Sequence, residues 1–156
     1  MADKTLLEKI SLRRVTLFDE DVDAYLALEQ SVIGPKTYSG IVDREEVKEE
    51  IKNNVAFFIE LEGVVVGSIE YEIKSDDRVY LSGSVINPNY QGKGLGHVAA
   101  VKILEKLKEV KEIYLVTHPH NTPVLRIFLS LGFVINDWID NYYGDGEPRV
   151  LLSKEK

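Results

Sequence analysis

The sequence predicts a mixed α/β domain, and three observations support this fold class. Apolar runs typical of β-strands alternate with segments whose apolar residues recur every three or four positions, as on one face of a helix. The segments follow the order strand, two helices, three strands, helix, strand, helix and two strands. A chain of 156 residues, 44% hydrophobic and 29% charged, has the size and composition of one globular unit. We therefore expect residues 1–156 to form a single domain.

The first half of the chain predicts three strands and two helices. The expected elements are a strand at 10–16, helices at 19–28 and 43–53, and strands at 56–61 and 64–73. Turn residues fill 34–40 between the two helices, and Asp43 is expected to cap the second helix. The last two strands form a hairpin, because Gly63 suits the positive φ of a tight turn.

The second half predicts four strands and two helices. The expected elements are a strand at 79–86, a helix at 95–107, a strand at 113–117, a helix between Asn121 and Gly132, and strands at 133–143 and 149–153. Pro88 ends the first of these strands because it cannot donate to a ladder. Asn121 is a helix cap with Pro123 in the first turn, and Gly132 ends that helix in the left-handed conformation.

A glycine loop follows the strand that Pro88 ends. Gly92, Gly94 and Gly96 open a helix, where the first backbone N–H groups lack intrahelical partners and lie at the positive end of the dipole. Such a loop binds phosphate, and Lys93 adds a positive charge. No hydroxyl residue follows the lysine as in a P-loop, and the even glycine spacing differs from a dinucleotide fingerprint.

Two motifs in this order resemble the GNAT N-acetyltransferase superfamily. Gln91, Gly94 and Gly96 match the acetyl-CoA loop of that family, which has Gln or Arg three residues before Gly and Gly or Ala two residues later. Asn121 starts the second motif, a helix that ends in Gly132-Phe133. The resemblance covers most of the chain after the first third.

The resemblance implies a mixed sheet of about seven strands flanked by about four helices. It also implies that the fourth and fifth strands splay apart and hold acetyl-CoA between them. The residues implied to bind this cosubstrate are Ser84, Val85, Ile86, Gln91, Gly92, Lys93, Gly94, Leu95, Gly96, His97, Asn121 and Phe128.

The resemblance implies direct attack of a neutral amine on the thioester in a ternary complex. The N–H of Ile86 is the expected donor to the thioester carbonyl. Many family members protonate the departing thiolate with a tyrosine where this chain has Phe128, and one branch uses a glutamate base where it has Val116. His118 is a candidate base because imidazole titrates near neutral pH, although it could equally be a surface loop residue.

Three segments are candidates for contact with the acceptor. Tyr142 and Tyr143 resemble the tyrosine-rich hairpin that holds the peptide in N-terminal acetyltransferases, and Tyr142 is a candidate catalytic residue. Tyr38 resembles, more loosely, the loop on the other side of that peptide. Glu70 shares one strand face with Glu72 and could reach the amine through water, while a face open to solvent is the simpler explanation.

Composition excludes several classes of function. The net charge of −7 argues against nucleic acid as a partner. The chain has no cysteine, and its histidines do not predict a metal site. No run approaches ~18 apolar residues, so we expect no membrane span and a cytoplasmic location.

The predicted function is transfer of acetyl from acetyl-CoA to a primary amine, either a protein N-terminal α-amine or a small amine such as a polyamine. The alternative is a non-catalytic acyl-CoA binding or sensing module, which the residues at 116 and 128 keep open. We expect a monomer or a homodimer.

Overall fold

A computed structural model describes residues 4–32 and 43–156. The described elements are α1 (Lys4–Lys9), β1 (Ile10–Arg14), α2 (Asp19–Ser31), α3 (Arg44–Asn53), β2 (Val55–Leu61), β3 (Val64–Ser75), β4 (Arg78–Ile86), α4 (Leu95–Lys106), β5 (Glu112–Thr117), α5 (Thr122–Ser130), β6 (Val134–Ile139) and β7 (Arg149–Glu155), with a 3₁₀ turn at Pro88–Tyr90. Among the described residues, no helix combines the length and the apolar character that a bilayer crossing requires.

The strands form one mixed sheet of seven strands in the order β1-β2-β3-β4-β5-β7-β6. Only β4 and β5 run parallel among the described pairs, and the other neighbours are antiparallel. The predicted fold class and number of strands are confirmed.

Helices cover both faces of the sheet, which explains the continuous apolar run in β2. Phe57 and Ile59 pack into the core that α4 covers, while Ala56 and Phe58 pack against α2 and α3. A strand with two buried faces needs apolar residues at successive positions, and Phe58 and Ile59 are completely buried.

The predicted caps at Asp43 and Asn121 and the turns at Gly63 and Gly132 form as expected, while the predicted turn at 34–40 lies outside the described residues. The Asp43 carboxylate accepts from the Glu46 N–H at 2.9 Å, and the Asn121 side chain accepts from the Val124 N–H at 3.5 Å. Gly63 and Gly132 adopt φ of 86° and 94°, in the left-handed region that favours glycine.

The largest differences from the prediction are in α1 and β6, while several other elements end two or three residues from the predicted bounds. Helix α1 was not predicted, because six residues are too few to show a helical period, and it is held by packing of Leu6 against the core. Strand β6 ends at Ile139, whereas the prediction extended it to 143. Asn141 takes a positive φ of 52° and its side chain accepts from the Gly146 N–H, so the chain turns there.

Candidate functional site

The parallel strands β4 and β5 separate after three residue pairs. The last pair is Tyr80 with Tyr114, whose rings stack with centroids 4.9 Å apart. Beyond it a cavity of about 240 Å³ opens between residues 80–84 of β4 and residues 115–118 at the end of β5, with α5 along one side. This divergence confirms the predicted splay and leaves one edge of β4 available to a ligand.

The backbone of β4 directs an N–H group into this gap. The Asn87 N–H donates to the Val66 carbonyl at 2.9 Å. Hydrogen-bonded pairs alternate along antiparallel strands, so the next pair, Ile86 with Gly67, is not hydrogen-bonded and the Ile86 N–H points away from β3. The Gln91 side-chain amide donates at 2.9 Å to the Ile86 carbonyl, which lies in the next peptide group along the chain.

The predicted residues on β4 divide between the gap and the core. Ser84 lines the cavity, whereas the Val85 side chain is buried beneath α2 and α3. Val85 can therefore contribute only its backbone to a ligand that lies along the gap.

The glycine loop presents backbone donors at the start of α4. Gly92 and Gly94 adopt φ of 78° and 82°, and Gly94 is the N-cap of the helix. Within the part of the chain that the structure describes, the N–H groups of residues 92–97 bond to no other backbone group. The loop therefore offers free donors at the positive end of α4, which is what the predicted phosphate contact requires.

Gly96 and Leu95 have a structural role that the sequence did not reveal. A Cβ on Gly96 would lie 3.3 Å from the Cδ1 of Ile127, so the absence of a side chain lets α4 pack closely on α5. Leu95 is buried in the core, with 2% of its surface exposed. Both residues can offer a ligand only their backbone N–H groups.

The two remaining cofactor candidates in the loop have charged or titratable side chains. Lys93 is exposed, with its Nζ 5.6 Å from the centre of the Tyr90 ring, and His97 is half-buried in the first turn of α4. The Lys93 ammonium is therefore free to move toward a phosphate.

Asn121 and Phe128 lie on the α5 side of the cavity. Asn121 is engaged as the helix cap and also donates from its Nδ2 to the Thr117 hydroxyl at 3.1 Å. Phe128 is buried and packs edge-on against Phe133, with ring centroids 5.2 Å apart. Both residues line the cavity, together with Val116.

A pair of carboxyl groups forms the wall opposite α5. Glu70 is only 3% exposed, so the solvent-exposed face that we expected for this residue is wrong. The Tyr25 hydroxyl donates to Glu70 Oε2 at 2.8 Å. The Glu70 carboxyl group is also in hydrogen-bond contact with the carboxyl group of Glu50. Burial, followed by the charge of Glu50, raises the pKa of Glu70 well above its usual value, and burial also raises the pKa of Glu50.

Glu50 was missed because the acidic residues of α3 suggested a solvated face. The spacing of Val47, Glu50, Ile51 and Asn54 nevertheless places all four on one side of a helix. Val47 and Ile51 pack into the core, so this same face carries the Glu50 carboxylate into the cavity.

Tyrosines close the end of the cavity near the β6–β7 connection. Burial and the neighbouring Tyr143 hydroxyl raise the pKa of Tyr80. Tyr143 lines the cavity, and the Arg149 guanidinium lies 5.0 Å from its ring centre. Tyr142 packs edge-on against Tyr143 at 4.7 Å but does not line the cavity. Tyr143 is therefore better placed than Tyr142 to touch a substrate.

The contacts of His118 argue against its predicted role as a base. The ring is 3% exposed, and its Nδ1 accepts from the His120 N–H at 3.0 Å. Its Nε2 lies 3.2 Å from Glu147 Oε1. Because Nδ1 is an acceptor, Nε2 carries the hydrogen and donates to this oxygen. Both nitrogens are thus occupied, and His118 joins the end of β5 to the segment between β6 and β7.

Tyr38, a candidate for contact with the acceptor, lies outside the described residues.

Comparisons with known proteins agree with this architecture. The model of the Acetyltransferase (GNAT) family matches residues 22–133. An N-alpha-acetyltransferase from Sulfurisphaera tokodaii is 27% identical over 148 residues, covering 85% of this chain and 86% of the relative. A spermine/spermidine N(1)-acetyltransferase from Bacillus subtilis is 34% identical over 89 residues, which cover 51% of this chain and 59% of the relative.

The fold is also found in a solved acetyltransferase. The crystal structure of a GNAT family acetyltransferase from Elizabethkingia anophelis with acetyl-CoA bound superposes with a TM-score of 0.75 at 15% identity, over 96% of this chain and 99% of that chain. The matches confirm the predicted fold family, the acetyl-CoA-dependent N-acetyltransferase class and acetyl-CoA as cosubstrate.

Proposed function

The chain belongs to the acetyltransferase (GNAT) family, and we propose that it acetylates a primary amine, either a protein N-terminal α-amine or a small amine such as a polyamine. The observation that carries this proposal is the gap between β4 and β5, in which a free strand edge leads to a loop of unpaired N–H groups. The names of the relatives from S. tokodaii and B. subtilis support the two acceptor classes.

Acetyl-CoA fits this gap in one orientation. The backbone N–H groups of residues 92–97 and the Lys93 ammonium bind the pyrophosphate at the start of α4. The pantetheine arm then lies along the edge of β4 that β5 leaves unpaired. The thioester reaches the N–H of Ile86, and the Gln91 side chain bonds to the carbonyl of the same residue.

The Ile86 N–H stabilises the negative charge that develops on the thioester oxygen when the amine attacks. One such donor is worth ~3–4 kcal/mol in measured oxyanion holes. The tetrahedral intermediate collapses with coenzyme A as the leaving group, and a thiol with a pKa of ~8.5 needs little assistance from an acid. Phe128 in place of a tyrosine is therefore compatible with turnover.

The acceptor enters from the side of the cavity where Glu70 and Tyr143 lie. The Glu50 carboxylate, which also lines the cavity, attracts an ammonium group, and the net charge of −7 favours the approach of cations. Tyr142 supports Tyr143 through their edge-on ring contact.

Two measurements test the proposal. Titration calorimetry with acetyl-CoA should give micromolar binding, and coenzyme A release should then depend on an added amine. Peptides with free N-termini and spermidine represent the two acceptor classes, with N-acetylated peptide as the control. Absence of acetyl-CoA binding in the folded protein would refute the proposal, and binding without transfer to any amine would favour the acyl-CoA binding module.

A further inference from the structure

A buried polar network links four elements around the cavity. Tyr25 of α2 donates to Glu70 of β3, and Glu70 contacts Glu50 of α3. The Asn54 amide at the end of α3 donates to Glu50 Oε1 at 2.8 Å and accepts from the Ser82 hydroxyl at 2.6 Å. The core does not require these polar groups, since apolar residues would fill the same space.

The two carboxyl groups are adjacent, and no cation in the described part of the chain pairs with them. Among the described residues, neither Glu50 nor Glu70 forms an ion pair with lysine, arginine or histidine. Two adjacent carboxylates in a buried site cannot both remain charged at low cost, so one proton is retained between them. Glu70 is the more buried member, which favours the proton on Glu70 and the negative charge on Glu50.

The backbone of β4 opens a path from the pair to the cavity. A Cβ on Gly83 would lie 2.7 Å from Glu70 Oε1, so the glycine makes room for this carboxyl group. Two β4 residues, Leu81 and Ser82, stand opposite Tyr71 of β3, and this bulge turns Ser82 toward Asn54. Glu50, Glu70 and Gly83 all line the cavity.

We propose that Glu50 and Glu70 act together as the proton acceptor for the amine substrate, an inference that rests on the proposed function. The acceptor arrives as an ammonium ion beside Glu50, and its N–H proton passes to the Glu50 carboxylate. The neutral amine attacks the thioester carbon, forming a C–N bond, and the C–S bond then breaks. The second nitrogen proton goes to the coenzyme A thiolate, and Glu50 releases the first to solvent. The pair takes the place of a base at position 116, which is valine in this chain.

Other titratable groups face this pair from each neighbouring element. Helix α2 contributes Tyr25 and Glu29. The charge of Glu29 also raises the pKa of Glu70. Strand β3 contributes Glu72, whose charge raises the pKa of Glu50. Strand β4 contributes Tyr80 on the cavity wall. These groups are negative or neutral. Arg149 of β7 also lines the cavity, but its guanidinium pairs with Asp145 at 3.0 Å.

The test compares Glu50→Gln and Glu70→Gln with the matched control Glu49→Gln. Glu49 neighbours Glu50 on α3 but is exposed and pairs with Lys52. Each variant of the pair should lower kcat/KM by about 10²- to 10⁴-fold, the usual range for a general base. The Kd for acetyl-CoA should stay unchanged, and the double variant should be no worse than either single one because the two groups act as a unit.

The acceptor supplies a second readout that a purely structural role would not change. An α-amine with a pKa of ~8 needs less help in losing its proton than an alkyl amine with a pKa of ~10.4. The loss in kcat/KM should therefore be smaller with the α-amine, and the acidic limb of the pH profile should shift in both variants.

Each outcome supports or overturns a defined statement. Pair variants that match Glu49→Gln in kcat/KM would overturn the inference while leaving the proposed function intact. A wild-type protein that transfers acetyl to no amine would overturn both.

The shared proton is tested without any substrate, because the infrared carboxylic-acid C=O band present at neutral pH should disappear in Glu70→Gln. If that variant fails to fold, Glu50→Gln on the half-buried helix face provides the kinetic test.

Discussion

Substitution of Gly94 by tryptophan separates phosphate binding from folding. Gly94 has a φ of 82°, and a Cβ at this position would lie 3.7 Å from Leu6 Cδ1, which is ordinary contact. The protein alone can therefore accommodate a side chain, apart from the ~1–2 kcal/mol that an L-residue loses in the left-handed region. At about 2–4 °C per kcal/mol for a protein of this size, the unfolding midpoint should fall by ~2–8 °C.

Binding of acetyl-CoA should fall much further than stability. A bulky side chain in the loop keeps the pyrophosphate away from the backbone. Hydrogen bonds to charged groups are worth ~1.5–3 kcal/mol each, so the loss of two would cost ~3–6 kcal/mol. Because about 1.4 kcal/mol corresponds to a tenfold change, the Kd should rise by about 10²- to 10⁴-fold.

Gly63→Trp is the matched control. Gly63 has a φ of 86° in the turn between β2 and β3, and nothing lies within 4 Å of its Cβ position. It should lose the same stability as Gly94→Trp and keep its affinity for acetyl-CoA. Titration calorimetry measures the acetyl-CoA affinity of the two variants. Wild-type affinity in both would refute phosphate binding by the glycine loop.

Three further predictions concern the carboxyl pair and α5. The folded-state pKa of Glu70 is raised, so the stability it contributes is complete below the unfolded value of ~4.3 and is lost as pH rises through the folded value. Glu70→Gln should therefore gain stability relative to wild type as pH rises from 4 in a series of urea titrations, and a constant difference would contradict the raised pKa. Gly96→Val should lower the free energy of unfolding by ~1–3 kcal/mol through overpacking against Ile127, and an unchanged urea midpoint would refute this close packing. Asn121→Ala should lose ~1 kcal/mol with the helix cap. Asn121→Asp should restore that stability. If both variants bind acetyl-CoA more weakly than wild type, the Nδ2 group contacts pantetheine.

The sequence determined the features that depend on neighbours along the chain. The apolar periods defined the order of strands and helices along the chain. Asp43 and Asn121 marked helix starts and Gly63 marked a turn, because each acts on backbone groups within a few residues. The glycine loop was equally evident, since the positive φ of Gly94 serves the adjacent helix. These local rules were sufficient for the order of the elements and the position of the glycine loop, and the family resemblance supplied the splay of the sheet.

Only the tertiary structure decided the features that depend on distances between elements. The depth of Glu70 depends on α2 and α3 covering the sheet, and its contact with Glu50 brings together residues from separate elements. Gly83 gains its importance from a carboxyl group on the neighbouring strand, and Gly96 from Ile127 on another helix. The two nitrogens of His118 are occupied by partners that only the folded chain assembles. Register and packing angle set these contacts, and a local sequence pattern specifies neither to the accuracy of a hydrogen bond.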